Sequence, residues 1–124
     1  MIIEIDFNSE EALYLQVCNQ IIHGIATLQL QEGDELPSVR QMADEIGINM
    51  HTVNKAYTVL KQEGFIQLDR RKGAVISLDM DKLRELQSMR EQMKGILAKG
   101  ICKGICKDEV YELVNEIYQE YGGE

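Results

Sequence analysis

The sequence has no tryptophan, one proline and two phenylalanines, so large aromatic rings contribute little to its core. It has no run of apolar residues that approaches the roughly 18 needed for a membrane-spanning helix. Its start, MIIEIDFNSEE, lacks the pattern of a secretion signal. Its three cysteines, Cys18, Cys102 and Cys106, do not form an even disulfide framework. We therefore expect a cytoplasmic chain with reduced thiols and no membrane segment.

Basic residues are also scarce, since 13 Lys and Arg stand against 21 Asp and Glu, a formal net charge of −8. A nucleic-acid-binding domain more often has a basic surface. The field at the contact face, however, matters more than the total charge. The basic residues of the N-terminal part are local: Arg40, Lys55, Lys61 and the run 70–72. Any DNA binding through this one basic edge should weaken steeply with salt.

No arrangement of residues indicates an enzyme. The chain has no glycine-rich phosphate loop and no paired-histidine metal motif, and 124 residues leave little room to enclose a substrate. A zinc site at Cys102 and Cys106 would need further ligands, and His23 and His51 are distant in sequence. We expect no catalytic residue, no cofactor and no metal ion.

The most informative segment is residues 33–66, where two short amphipathic helices are joined by a tight turn. Gly47 lies between them, where a sharp reversal needs positive φ. Apolar residues recur at helical spacing in both segments: Val39, Met42, Ala43 and Ile46, then Val53, Ala56, Tyr57 and Leu60. The layout is typical of a helix-turn-helix, whose second helix can enter a DNA major groove. Periodicity alone would also fit two core helices of an ordinary α domain.

The same segment resembles the winged helix-turn-helix domain of GntR-type bacterial transcription regulators. The resemblance rests on Leu-Pro-Ser-x-Arg, Gly-Ile-Asn, Thr-Val and Glu-Gly-Phe-Ile, in the family's order and separations, and it covers roughly residues 10–78. The short remainder is similar to the small-tailed, YtrA-like subgroup. The resemblance implies a mainly α protein: a winged helix-turn-helix domain with a two-stranded wing over residues 1–78, and a two-helix dimerisation region over residues 79–124.

The function that the resemblance implies is transcription regulation, with repression of a neighbouring operon. A homodimer would bind a pseudo-palindromic double-stranded operator through a recognition helix and a basic wing. The sequence does not name the operator, the regulated genes or a small-molecule effector.

Three groups of residues are candidates for DNA contact. The first is the start of the recognition helix: Asn49, Met50, His51, Thr52, Asn54 and Lys55. The second is the start of the preceding helix, Ser38 and Arg40, where the resemblance implies an arginine that contacts DNA. The third is the wing: Arg70, Arg71, Lys72 and Gly73. Each group could instead be a solvated face, and Arg40 could pair with Asp44 at i+4.

The C-terminal segment is predicted to form two helices whose apolar stripes are too wide for one chain to bury. The stripe residues are Leu83, Leu86, Met93, Leu97, Val110, Leu113, Val114, Ile117 and Tyr121. A second copy of the chain is the simplest partner for this surface.

Local signals predict where the other elements begin and end. The first long helix should be capped by Asn8 or Ser9 and preceded by a strand or extended arm at Ile2, Ile3 and Ile5. Its apolar stripe should comprise Tyr14, Val17, Cys18, Ile21, Ile25 and Leu28. Asp79 should cap the fourth helix, which we expect to end near Gly104.

Two alternatives remain open at this point. One is a winged-helix module for protein–protein contact, which would not need Arg40 or the basic wing. The other is a thiol- or metal-responsive regulator that uses Cys102 and Cys106, which lie four residues apart. This second alternative needs a continuous helix through Gly104.

Overall fold

The computed structural model describes residues 3–122, which form five helices and a two-stranded antiparallel sheet. In chain order these are α1 (Leu13–Ala26), α2 (Val39–Ile46), α3 (Met50–Gln62), β1 (Ile66–Asp69), β2 (Gly73–Ile76), α4 (Lys82–Cys102) and α5 (Lys107–Glu120). The chain divides into two compact units, Met1–Asp79 and Met80–Glu124, called here the first and second units. The described helices include none that is both long and apolar enough to span a membrane.

One apolar core holds the first unit together, and both stripes of the helix-turn-helix contribute to it. From these stripes the buried side chains are Met42, Ala43, Val53, Ala56, Tyr57 and Leu60, while Val39 and Ile46 are partly buried against them. The first helix adds Val17, Cys18 and Ile21, which are at most 2% exposed. The helical spacing in the sequence therefore predicted the packed faces of α2 and α3 correctly.

Local hydrogen bonds cap α2 and α3, and a glycine forms the turn between them. The Ser38 hydroxyl oxygen accepts the Gln41 N–H at 3.1 Å, and the Asn49 carboxamide oxygen accepts the His51 N–H at 2.6 Å. Gly47 ends α2 with φ +72°, a left-handed conformation that glycine adopts without steric cost. Ser38 and Asn49 thus cap α2 and α3, and the prediction of a turn glycine at position 47 is confirmed.

A side-chain hydrogen bond also joins α3 to the segment before α2. The Tyr57 hydroxyl donates to the Pro37 carbonyl oxygen at 2.7 Å. Burial raises the pKa of Tyr57 above its usual value, so the hydroxyl keeps the proton that it donates. This bond links α3 to the start of the helix-turn-helix.

Replacing Tyr57 by phenylalanine should therefore lower the free energy of unfolding by about 1 kcal/mol, because the ring remains but the Pro37 carbonyl loses its donor. Urea denaturation measures the change. Tyr14→Phe is the control, since no hydrogen bond of the Tyr14 hydroxyl is found among the described residues. Equal stability of wild type and Tyr57→Phe would show that this bond contributes nothing.

The wing sheet includes a third segment that the sequence did not predict. Strands β1 and β2 pair from Ile66 opposite Ile76 to Asp69 opposite Gly73. On the other edge of β2, the Leu36 N–H donates to the Ala74 carbonyl oxygen and the Ile76 N–H to the Asp34 carbonyl oxygen, each at 2.8 Å. The stretch between α1 and α2 therefore anchors the wing to the helices.

The first helix begins later than predicted. Its N-terminal cap is Ala12, without a side-chain cap bond, so the prediction of Asn8 or Ser9 was wrong. The reason is the buried amide of Gln16, which accepts the Asp6 N–H and donates to the carbonyls of Asp6 and Glu11. A buried amide needs such partners, and the preceding chain folds over it instead of continuing the helix.

Of the strand or extended arm predicted before α1, no strand forms at Ile3 and Ile5, which pack against the core, and Ile2 lies outside the described residues. Two further local predictions need correction. Leu28 follows the end of α1 with φ +64° and is 73% exposed, so it is not part of the apolar stripe. The cap of α4 is Asp81, whose carboxylate accepts the Arg84 N–H at 3.1 Å, while the Asp79 N–H donates to the Gly64 carbonyl oxygen within the first unit.

The second unit contains α4 and α5, and neither helix buries a residue. Helix α4 ends at Cys102, and Gly104, two residues later, has φ +80°. This agrees with the expected end of the helix near that glycine. Most of the long apolar side chains of both helices are exposed, among them Leu83, Leu86, Leu113 and Ile117, whereas Leu97 is half-buried.

Candidate nucleic-acid interface

The exposed side of α3 lies opposite its buried stripe. Val53 and Ala56 are fully buried, whereas Met50, His51, Asn54 and Lys55 are exposed and Thr52 is half-buried. Asn49 caps the helix, so its carboxamide is occupied by the His51 N–H. The first two turns of α3 thus present polar side chains at the surface, while the N–H groups of His51, Thr52 and Val53 already donate to Asn49.

Ser38 and Arg40 occupy the start of α2. The serine hydroxyl accepts the Gln41 N–H and so has a structural role as a cap. Arg40 is exposed, and among residues 3–122 no salt bridge joins it to Asp44. The competing interpretation of Arg40 as the partner of Asp44 is therefore not supported by the geometry.

The tip of the wing is a turn of basic residues that an acidic residue organises. The Asp69 carboxylate accepts the N–H groups of Arg71 at 2.7 Å and Lys72 at 3.0 Å. These bonds lower the pKa of Asp69, and the nearby Lys72 charge adds to the effect. Gly73 closes the turn with φ +79°, and the basic side chains 70–72 remain exposed.

Sequence reasoning missed Asp69, although a signal was present. An Asp followed by turn residues often accepts their backbone N–H groups, and here the carboxylate fixes the turn that carries the basic side chains.

A contact between α1 and α3 was also missed. The Lys55 ammonium lies 4.0 Å from the centroid of the Tyr14 ring. The two residues border a surface pocket of about 390 Å³ that is also lined by Leu13, His51 and Thr52. Because Tyr14 and Lys55 are 41 positions apart in sequence, periodicity within either helix gives no sign of the contact.

The cysteine pair lacks the geometry that a thiol- or metal-responsive site on one helix would require. Cys102 is the last residue of α4, whereas Cys106 occupies the cap position of α5, where its N–H donates to the Glu109 carboxylate at 3.0 Å. Within the described range no three His, Cys, Asp or Glu residues cluster as metal ligands. Cys106 therefore lies at the start of α5 and does not share a helix with Cys102.

Thiol reactivity should separate these cysteines from Cys18. Burial raises the pKa of Cys18 to about 11, and its thiol lies 3.4 Å from the Ala56 carbonyl oxygen. At pH 8 Cys18 should remain protonated and shielded, while the exposed Cys102 and Cys106 react.

A disulfide reagent added to the native protein should thus modify two thiols quickly and the third only after unfolding in urea. Cys18→Ala is the control, and its native protein should still show two fast thiols. Three fast thiols in the wild type would contradict the buried position of Cys18.

Comparison with known proteins gives consistent matches. The family model for bacterial regulatory proteins of the gntR family matches residues 13–76. The repressor YtrA of Bacillus subtilis strain 168 is 30% identical over 124 residues, which cover 98% of this chain and 95% of YtrA.

Two solved structures are similar over most of the chain. YtrA from Sulfolobus acidocaldarius, a GntR-family transcription factor, has a TM-score of 0.69 and 36% identity, covering 82% of this chain and 99% of its own. A Listeria monocytogenes EGD-e protein named a transcriptional antiterminator has a TM-score of 0.84 and 30% identity, covering 97% and 92%.

The matched family segment runs from the start of α1 to the end of β2 and so contains the helix-turn-helix and the wing. The Bacillus relative extends the similarity to nearly the whole length of both chains. This chain belongs to the GntR family of DNA-binding bacterial transcription regulators.

Proposed function

We propose that this regulator is a cytoplasmic repressor that binds a pseudo-palindromic operator as a homodimer. The observation that carries the proposal is the exposed polar face of α3 beside a basic wing in one compact unit. Repression is suggested by the Bacillus relative, which is named a repressor.

The start of α3 is the proposed reading surface. His51, Asn54 and Lys55 point away from the buried stripe and are long enough to reach base edges. Met50 is 44% exposed and offers an apolar contact for a thymine methyl group. Thr52 and Asn49 lie at the start of the helix, where the helix dipole favours a phosphate.

Arg40 and the wing are proposed to bind the DNA backbone. Arg40 is exposed without an ion pair to Asp44 in the described chain, so its charge is available for a phosphate. Arg71 and Lys72 flank a turn that Asp69 holds in place, while Gly73 lets the backbone approach closely. Such contacts position the protein and add salt dependence but do not select a sequence. Ser38 lies two residues before Arg40, and Arg70 directly precedes Arg71 in the wing, so each adjoins one of these two proposed contacts.

The second unit is proposed to be the dimer contact. Its helices bury no side chain within one chain, and a helix as short as α5, with 14 residues, is marginal in water without packing. Between α4 and α5 lies a cleft of about 410 Å³, lined mostly by apolar side chains that include Met93, Leu97, Val110 and Val114. A second copy would bring the same apolar residues to this surface and cover both faces.

Selection of DNA from a random pool by the full-length protein tests the proposal. We expect enrichment of a sequence with two-fold symmetry, whose half-sites are separated by about 10 base pairs or a multiple of that. An RNA copy of the enriched sequence is the control competitor, because one structural relative is named an antiterminator. No enriched sequence, or equal competition by RNA, would contradict a duplex operator.

A further inference from the structure

The contact between Tyr14 and Lys55 joins the recognition helix to a helix that is not expected to read DNA. Tyr14 lies in the first turn of α1 and is half-buried against the core, so its ring is held in place. Lys55 is exposed on α3, and its ammonium lies 4.0 Å from the ring centroid. An ammonium at this distance is attracted by the negative face of the ring.

A free lysine on a helix surface samples many rotamers, and fixing it on binding costs conformational entropy. The Tyr14 ring reduces that cost, because it holds the ammonium on the α1 side of α3 before DNA arrives. The ammonium then lies at the edge of the pocket that His51 and Thr52 also line. The charge is thus placed beside two other residues of the proposed reading surface.

We propose that Tyr14 is a positioning residue for sequence recognition: it holds Lys55 in the orientation that reads one base pair of the operator. The proposal rests on the proposed function, in which Lys55 contacts DNA. It assigns to α1 a part in specificity without any DNA contact of its own.

The test uses the full-length protein and labelled duplexes of the selected operator and its single-base variants. Tyr14→Leu keeps an apolar side chain but removes the ring. We expect it to lower operator affinity about two- to fivefold and to relax the same base position that Lys55→Ala relaxes. The salt slope should not change, because the ammonium is still present.

Three further variants separate positioning from a general loss of structure. Tyr14→Phe keeps the ring and should restore both affinity and base preference. Tyr14→Leu introduced into Lys55→Ala should cause no further loss, since the two residues act as one unit. Ile22→Ala removes another partly buried α1 side chain; it should lower stability while base preference stays that of the wild type.

Two results would overturn the inference and can be told apart from failure of the proposed function. If Lys55→Ala itself leaves base preference unchanged, then Lys55 does not read DNA and that part of the proposed function fails as well. If Lys55→Ala relaxes one position but Tyr14→Leu only matches the behaviour of Ile22→Ala, Tyr14 has a structural role alone.

Discussion

A Leu113→Asp variant is expected to be a monomer and to bind the operator roughly 100-fold or more weakly than the wild type. Leu113 lies on the apolar stripe of α5 and is 53% exposed within one chain. A carboxylate there would have to be buried in the proposed dimer contact, which is strongly unfavourable. Loss of the dimer removes the second recognition helix and with it the gain from binding two half-sites at once.

Sedimentation at micromolar concentration and an operator titration measure the two effects together. Gln119→Asp is the matched control, because it places the same carboxylate on an exposed polar position of the same helix. The control should remain a dimer with nearly wild-type affinity. A Leu113→Asp variant that still dimerises would place the dimer contact elsewhere on the chain.

Removing a side chain from the start of α3 should have the second large effect. Asn54→Ala and Lys55→Ala should each weaken operator binding by about 1–3 kcal/mol and relax the preference at one or two base positions. Both side chains are exposed one turn into the helix, away from Val53 and Ala56. Titration against the operator and its single-base variants measures both quantities.

Lys61→Ala is the matched control for the loss of a positive charge. It removes a lysine from the last turn of the same helix, also on the exposed surface. Because Lys61 is about two turns further along the helix, its loss should change affinity slightly and leave base preference unchanged. A loss of preference equal to that of Lys55→Ala would mean that overall charge, not position, governs recognition.

The helix-turn-helix was predictable because its determinants are local. The apolar spacing of α2 and α3 specifies which faces are buried, and Gly47 and Asn49 specify the turn and the cap. Each of these signals acts within about one helical turn, so a single sequence contains all the information needed. The same holds for the basic wing between two short strands.

The parts that were not predictable depend on contacts between distant segments. The pairing of residues 34–36 with β2 joins chain segments about 40 positions apart. The late start of α1 follows from the burial of Gln16, whose partners lie in the preceding arm. In both places a local propensity competes with tertiary hydrogen bonds, and the tertiary bonds determine the structure.

The features of the candidate site also differ in whether local sequence signals predict them. Exposure of His51, Asn54 and Lys55 follows from the buried stripe of α3 and was predictable from spacing. The cation–π contact with Tyr14 requires the packing of α1 against α3, and no pattern within either helix indicates it. Asp69 at the wing lies between these two cases, because its turn signal is local but only the basic residues beside it indicate DNA contact.

A competition binding series against single-base operator variants at two salt concentrations distinguishes base reading by α3 from backbone contact by the wing. Asn54→Ala and Lys55→Ala should lose base preference at defined positions. Arg71→Ala and Lys72→Ala should weaken binding to all sequences alike and reduce the salt slope by about one unit per lost contact. If Asn54→Ala and Lys55→Ala instead keep wild-type affinity and wild-type base preference, α3 does not read DNA, which contradicts the proposed function.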